Sequence, residues 1–510
     1  MVCTACVVAA ALVWSAAGLL APPQKNYSIL MLIPYWGKSH RNVFMPLSEA
    51  LADRGHKVVM LTMVPESSTH PNITEVSFSL ANVNVDSSNM FDLLGTSIRT
   101  TYMPIIAREM YKLPCVKKLY KERKQFDLIV VDYSFSQVVF PFVHEVFYIT
   151  VATVGNEPFL SAVMGNVLNP SYAPSLWSSY VGHLSFWERM HNMVQHVWPS
   201  ILWKHWNFIP DVQREIWQHF PDLPPLMDIE RNQSLTLMNT HFSISTPMPL
   251  LPSQVEVGAM HCRPAKPLPQ DLKAWVTGAG SAGVVYFSLG STASGMSIPS
   301  QYRQIFLEVF RRLPQRVLWK YEGELEGMSD NVRISRWLPQ QDLLAHCNVK
   351  VFISHGGLLS LQESIFHATP LLILPIYGDQ FRNGMFVDGS DVGRTLMWKE
   401  LTVDRIVEAL TDIITNPKYQ KNVARLSATL RDQLTTPQER AVFWTEYVIR
   451  HRGAVQLRCP AADHSWVEFL LLDVMGLLLL GLLLLLFFTR RILRAISTKI
   501  FDGYPKQKTA

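Results

Sequence analysis

The chain is poor in charge and lacks any cysteine pattern. Of its 510 residues only 17% are Asp, Glu, Lys or Arg, against 48% hydrophobic. So little charge cannot hold a chain of this length open, and a disordered or fibrous protein is excluded. Cys3 and Cys6 lie in an N-terminal apolar stretch; Cys115, Cys262, Cys347 and Cys459 are widely spaced with no C-x-x-C. Neither a disulfide framework nor a zinc site is indicated. The body also lacks a basic excess: Arg490, Arg491, Arg494, Lys499, Lys506 and Lys508 against Asp502 account for the whole formal net charge of +5. A domain gripping nucleic acid carries its excess in the folded body, so that class loses its main support.

What is present begins with the two ends. Residues 1–21 contain no charged side chain and run apolar from Ala5 to Leu20, with small residues at Ser15, Ala17 and Ala21. This reads as a secretory signal peptide; because no Lys or Arg precedes the apolar run, a first buried strand or a membrane anchor is the alternative. Val474 to Phe488 is an unbroken apolar run, extended backwards through Phe469 to Leu472 with one interruption at Asp473. About twenty residues at ~1.5 Å each span the ~30 Å hydrocarbon layer. A transmembrane helix over 466–489 is expected, followed by a basic tail over 490–510 that the positive-inside rule puts in the cytosol, with the body luminal. Sequons at Asn26, Asn72 and Asn232 fit a luminal glycoprotein. The terminal K-Q-K-T-A resembles the dilysine signals of type I proteins of the endoplasmic reticulum membrane.

Between these ends the length suits two domains. Pro247, Pro249, Pro252, Pro264, Pro267 and Pro269 mark a linker, because proline continues neither helix nor central strand. The domains expected are 22–255 and 256–465. Each opens alike. Ser28 to Pro34 reads as a strand, then come a polar loop with Gly37, a helix from Asn42 to Arg54 with Gly55 as its cap, and a strand from Lys57 to Leu61. In the second half, strands at Gly283–Leu289, Val317–Tyr321, Lys350–Ile353 and Leu371–Leu374 alternate with helices at Gln301–Leu313 and Leu358–Phe366. Apolar strands alternating with helices imply parallel sheets covered on both faces, an α/β chain of two facing Rossmann-like domains. Ligands of such sheets bind beyond the carboxyl ends of the strands.

The densest chemistry lies between Arg336 and Gly384: R-W-L-P-Q-Q-D-L-L-A-H, F-I-S-H-G-G-L-L-S-L-Q-E-S and P-I-Y-G-D-Q-F-R-N-G. Ser354, His355, Gly356 and Gly357 join a buried strand to a helix, where glycines let backbone approach a ligand and the helix start attracts phosphate. A plain tight turn is the alternative on these residues alone. The whole stretch resembles the signature of the UDP-glycosyltransferases, most like invertebrate members, and looser similarity runs over nearly the whole chain. That resemblance implies the two-domain GT-B fold and a UDP-sugar co-substrate. Trp337 would stack on uracil, and Gln340 and Glu363 would hold ribose hydroxyls. His355 and Gly357 would hold the diphosphate, with Ser291 in F-S-L-G-S and Ser360 also on the donor side. Asp379 and Gln380 would bond the sugar hydroxyls, and Asn383 would contact the donor. Leu359 departs from the pattern, since many relatives carry Asn there.

In the first domain the family's acceptor base corresponds to His40, in the loop beyond the first strand, and its acidic partner to Asp132 at the end of the strand from Leu128 to Val131. A solvated loop histidine, one of 16, and a strand-end turn residue are the plainer readings. Trp177, Trp187, Trp198, Trp203, Trp206 and Trp217, six of the 14 tryptophans, would line a lipophilic acceptor pocket, rest on a membrane interface or fill a core. The resemblance implies an inverting transfer of glucose or glucuronic acid from UDP-glucose or UDP-glucuronate to a hydroxyl of a small lipophilic acceptor. No metal is expected, because the signature has no acidic ligand pair. The rivals are a non-catalytic binder of UDP-sugar or lipophile and a type I receptor that reuses the fold; homo-oligomerisation stays open.

Overall fold

The computed structural model describes residues 20–80, 83, 98–175, 183–291 and 293–502. Residues 1–19 of the expected signal segment, Trp177 and the K-Q-K-T-A end lie outside them. The chain divides at Arg458 into a body and a C-terminal unit.

Two parallel sheets form the body. The first has the order β3-β2-β1-β4-β5-β6-β7, with β1 Ser28–Ile33, β2 Lys57–Thr62, β3 Ile73–Ser77, β4 Leu128–Asp132, β5 Tyr148–Ala152, β6 Thr236–Met238 and β7 Gln254–Glu256. The second has the order β10-β9-β8-β11-β12-β13, with β8 Val284–Ser288, β9 Arg316–Lys320, β10 Val332–Ser335, β11 Val349–Ser354, β12 Leu371–Ile373 and β13 Gly393–Thr395. In each, the first strand of the domain lies at the centre and the order reverses beside it, which opens a crevice at the carboxyl ends. The central strands are apolar throughout because helices cover both faces: β4 and β8 are buried at every position.

The helices that matter below are α1 Lys38–Asp53, α2 Phe186–His205, α3 Gln340–Leu344, α4 Leu358–Phe366, α5 Gln380–Gly389, α6 Pro437–Arg450 and α7 Leu472–Asp502. In α1, Val43, Phe44, Leu47 and Leu51 recur at helical spacing and are buried on the sheet. Gly55 takes φ +89° just past its end, as a C-cap glycine should.

The structure departs from expectation in four places. Helix α1 starts at Lys38, not Asn42, so His40 sits in a first helical turn rather than a loop; a polar first turn aimed at a crevice carries no apolar periodicity to announce it. The proline-rich segment holds β7, paired with β6. As the edge strand it tolerates prolines at its flanks. Helix α6 belongs to the first domain, although its sequence position is in the second. Its Ala441, Val442 and Val448 share a core with Val43, Phe44 and Leu47 of α1, and buried Glu446 accepts from Arg54 Nε at 2.6 Å and His56 Nε2 at 3.0 Å. The transmembrane stretch is also not one helix from 466. A short turn, Trp466–Phe469, ends at Leu471 with φ +52°, and α7 then runs unbroken through Arg490, Arg491 and Arg494. Leu472–Lys499 within it is long and apolar enough to cross a membrane.

Two sequons, Asn26 and Asn232, are exposed. Asn72 instead donates its amide to Ala52 O at 3.1 Å, so a glycan there needs that bond broken. Cys115, Cys262, Cys347 and Cys459 are unpaired.

Candidate active site between the two sheets

Three neighbouring strands deliver three polar side chains to one point. Strands β1, β4 and β5 pair in parallel, and at or beyond their carboxyl ends stand His40, Asp132 and Thr153. His40 Nδ1 is hydrogen-bonded to Asp132 Oδ2. The other carboxylate oxygen accepts from Ser134 N at 3.0 Å and from the Thr153 hydroxyl at 3.3 Å, and Thr153 Oγ1 is 2.9 Å from His40 Nδ1. Asp132 is completely buried and His40 nearly so. Carboxylate acceptance at Nδ1 fixes the tautomer: the proton sits on Nδ1 and Nε2 keeps a lone pair. Tyr35, its ring 4.4 Å from that of His40 and stacked on Phe135, walls the imidazole. Burial raises the Tyr35 phenol well above its ordinary value, with Asp132 and then Asp379 adding to it. It stays a neutral wall.

The facing crevice belongs to the second sheet. His355 follows β11 and lies between two glycines. A Cβ on Gly290 would stand 2.7 Å from its Cε1, and one on Gly357 would collide with its Nε2. Any side chain at either position expels the ring. Gly290 (φ +76°) and Gly356 (φ +84°) each donate their N–H at 3.2 Å to the last serine of the preceding strand, Ser288 and Ser354. Burial, with Lys320 nearby, pushes His355 down to about 4, so it is neutral at pH 7. Its Nδ1 is buried without a partner. The Lys320 ammonium reaches Gly290 O at 2.9 Å and pairs with Glu322 Oε1 at 2.5 Å, bringing an already paired cation to the same turn. Helix α4 begins directly after Gly357.

Around this turn the other signature residues gather. Gln340 opens α3 and donates to Glu363 Oε2 at 2.6 Å and Ser360 Oγ at 3.1 Å, while Tyr286 donates to its carbonyl at 3.1 Å. The two residues expected to hold ribose are therefore held by one another, and buried Ser360 orients Gln340. Burial lifts the Glu363 carboxyl to about 7. Trp337 is 64% exposed, with Lys38 Nζ of the first domain 5.8 Å over its ring. Ser291 is exposed in the turn after Gly290.

Some expected donor contacts are already committed. The Gln380 carbonyl accepts from the Ile376 and Tyr377 amides at 2.7 and 3.0 Å, leaving its NH2 for a ligand. The Asn383 amide donates to Gly356 O and Asp379 Oδ2, both at 2.8 Å. It ties α5 to the glycine turn, with only its oxygen left over. Asp379 is raised by burial, against the pull of Arg382 and Asn383. Leu359, where Asn was noted as missing, packs on the first domain's core instead.

The domains meet here. Arg382 Nη2 donates to Val154 O at 3.3 Å and Gln362 Nε2 to Asn239 O at 3.1 Å, so the His40 set and the His355 turn share one cleft. Beside Asp132, a mostly apolar pocket is lined by Tyr133, Gln137, Phe159, Trp203 and Phe208. Among the described members of the tryptophan cluster, Trp203 reaches it; Trp187, Trp198, Trp206 and Trp217 are exposed, which removes the core reading for them. Thr153, Tyr35, Lys320 and Arg382 were missed from sequence. Thr153 and Lys320 had a signal, each standing at the carboxyl end of a strand.

A family model described as UDP-glucoronosyl and UDP-glucosyl transferase matches residues 31–507. A UDP-glycosyltransferase of Dactylopius coccus is 33% identical, over 94% of this chain and 94% of its own. The human 2-hydroxyacylsphingosine 1-beta-galactosyltransferase is 31% identical, over 98% and 93%. In structure, a UDP-glucosyltransferase from Polygonum tinctorium superimposes with a TM-score of 0.59 at 16% identity, covering 84% of this chain and 99% of that one, a likeness of fold. With both sheets, the cleft between them and the match across nearly the entire length in agreement, the chain belongs to the UDP-glycosyltransferase family, a UDP-sugar-dependent transferase of GT-B fold.

Proposed function

We propose that the enzyme transfers a hexose, glucose or glucuronic acid, from its UDP derivative to a hydroxyl of a small lipophilic acceptor, inverting the anomeric carbon. The observation that carries this reading is the His40–Asp132–Thr153 set at the carboxyl ends of three adjacent strands, opposite the His355 turn. His40 Nε2 takes the acceptor's hydroxyl proton as its oxygen attacks the anomeric carbon. The bond to the phosphate oxygen breaks on the opposite face, and UDP leaves with the negative charge. Asp132 holds the ring in register and balances the imidazolium. The start of α4, neutral His355 and Lys320 meet the diphosphate, so no metal is called for. Trp337, Gln340 and Glu363 take the nucleoside, and Asp379 with the Gln380 amide takes the sugar. A relative named for galactosyl transfer to 2-hydroxyacylsphingosine supports a lipophilic acceptor. We place the enzyme in the endoplasmic reticulum membrane by its apolar C-terminal helix, with the body in the lumen.

The test is turnover of a panel of lipophilic hydroxyl compounds with UDP-glucose and UDP-glucuronate in parallel, with the anomeric configuration read by NMR. A β-glycoside from one donor is expected; an α product removes the single-displacement mechanism, and no product from either donor removes the reading.

A pH dependence follows from Glu363. To accept hydrogen bonds from two ribose hydroxyls it must be a carboxylate. Its carboxyl is held up at about 7, so below that pH it is protonated and UDP binding must first remove a proton. UDP affinity is expected to rise as pH increases through about 7 and to level off above. UDP's own phosphate also titrates, near about 6, but equally in wild type and Glu363→Gln. The difference between the two pH profiles isolates Glu363, and identical slopes would exclude it from the ribose site.

A further inference from the structure

Past β5 the chain turns at Gly155 (φ +90°) and enters a short helix, Pro158–Val163, with Glu157 at its N-cap. An N-cap oxygen ordinarily accepts from the first-turn amides. The Glu157 side chain does not; the residue is 5% exposed, and its Oε2 is buried and without a hydrogen-bond partner among the described residues. The turn is held by its neighbour instead: Asn156 Oδ1 accepts from Ser161 Oγ at 2.8 Å, which in turn accepts from Gln254 Nε2 at 2.9 Å. A buried carboxyl oxygen without a donor costs stability, so the fold does not account for Glu157.

Glu157 lines a pocket with Pro158, Phe159 and, from α2, Pro199 and Trp203. Phe159 and Trp203 also wall the pocket beside Asp132, so the two hollows flank the same pair of rings. Other polar side chains around Glu157 are engaged within the protein: Ser175 Oγ donates to Gln195 Oε1 at 2.8 Å, His196 Nε2 to Ala173 O at 2.9 Å and Ser200 Oγ to His196 O at 2.7 Å. Thr153, which touches His40, precedes Glu157 by four residues, and that much chain spans at most about 14 Å.

We infer that Glu157 selects the acceptor by taking a hydrogen-bond donor, a hydroxyl or an amine, at the end of a lipophilic acceptor remote from the reacting hydroxyl. The inference rests on the transfer reading above and adds a second polar end to its acceptor. The reacting hydroxyl meets His40, the apolar middle lies against Phe159 and Trp203, and the far donor reaches Glu157. A site that accepts from a substrate hydroxyl rejects the analogue lacking it, because the buried acceptor is then left unpaired.

The experiment uses the full chain in detergent micelles with 4-hydroxybiphenyl carrying a hydroxyl, an aminomethyl or a methoxy group at the far end of its second ring. Calorimetry in the presence of UDP gives affinity, and kcat/KM with UDP-glucose and UDP-glucuronate gives turnover, for wild type, Glu157→Gln and Glu157→Leu. Wild type is expected to favour the hydroxyl or the aminomethyl compound over the methoxy one by about ten- to a hundredfold in affinity. Glu157→Leu loses that preference, and Glu157→Gln, which keeps a neutral acceptor, falls between. Which compound leads tells whether the group is neutral or cationic. A preference of the same size in wild type and Glu157→Leu, or none in wild type, overturns the inference. Both variants should melt at or above the wild-type temperature, since no cap bond is lost; a merely structural Glu157 would lower the melting temperature and leave the preference unmoved. Compounds that bind by this rule yet are never glycosylated would sink the transfer reading and leave the subsite standing.

Discussion

His40→Ala is expected to lose transfer by ~10²–10⁴-fold while binding UDP as the wild type does. General-base removal costs that much in rate, and His40 stands on the acceptor side, across the cleft from the nucleotide turn. The fold survives because Asp132 keeps two other donors, the Ser134 amide at 3.0 Å and the Thr153 hydroxyl at 3.3 Å. Asp132→Asn should cost less than His40→Ala. An amide at that position still touches Nδ1, but it does not balance an imidazolium and allows the wrong tautomer. Rates with the best acceptor from the panel and UDP affinity by calorimetry decide together. Wild-type turnover in His40→Ala would overturn the mechanism, and loss of UDP binding in the same variant would mean that His40 acts on the donor side.

Glu363→Ala and His355→Ala are expected to weaken UDP binding by ten- to more than a hundredfold. A hydrogen bond to a charged group contributes roughly 1.5–3 kcal/mol, and each substitution removes one such contact to ribose or diphosphate. The two variants differ in what they leave behind. After Glu363→Ala, Gln340 is still held by Ser360 Oγ at 3.1 Å and Tyr286 Oη at 3.1 Å, so the loss falls on binding with little cost to stability. After His355→Ala a buried ring is missing between Gly290 and Gly357, and the melting temperature should fall as well, because a cavity in a close-packed turn costs stability. Calorimetry with UDP alongside thermal melts separates the two effects. Wild-type affinity in both would take them out of the donor site.

The strand, turn and helix around His355 were legible because their parts are close in sequence. From Val349 to Phe366 one strand, one turn and one helix follow without a break, and α4 runs over the expected residues. Strand–turn–helix geometry is local, so residue type and spacing together locate the turn. The uses to which individual atoms are put were not legible. That the Gln380 carbonyl closes its own loop and the Asn383 amide ties the glycine turn depends on folded distances, which a motif does not carry.

The sequence by itself determined the alternation of apolar strands and helices, the signature turn and the apolar C-terminal helix, since each follows from residues within a few turns of one another. Only the tertiary structure decided that His40 meets Asp132, 92 residues on, and Thr153, 113 residues on. In a parallel sheet, neighbours are set by strand order, and β1, β4 and β5 lie side by side because the sheet reverses there. It likewise decided that α6 returns to the first domain and that one stripe of α2 stays uncovered. Periodicity says that a helix has an apolar face; which surface closes over that face is settled by packing between distant segments, and on α2 the stripe from Phe186 to Trp198 is left exposed.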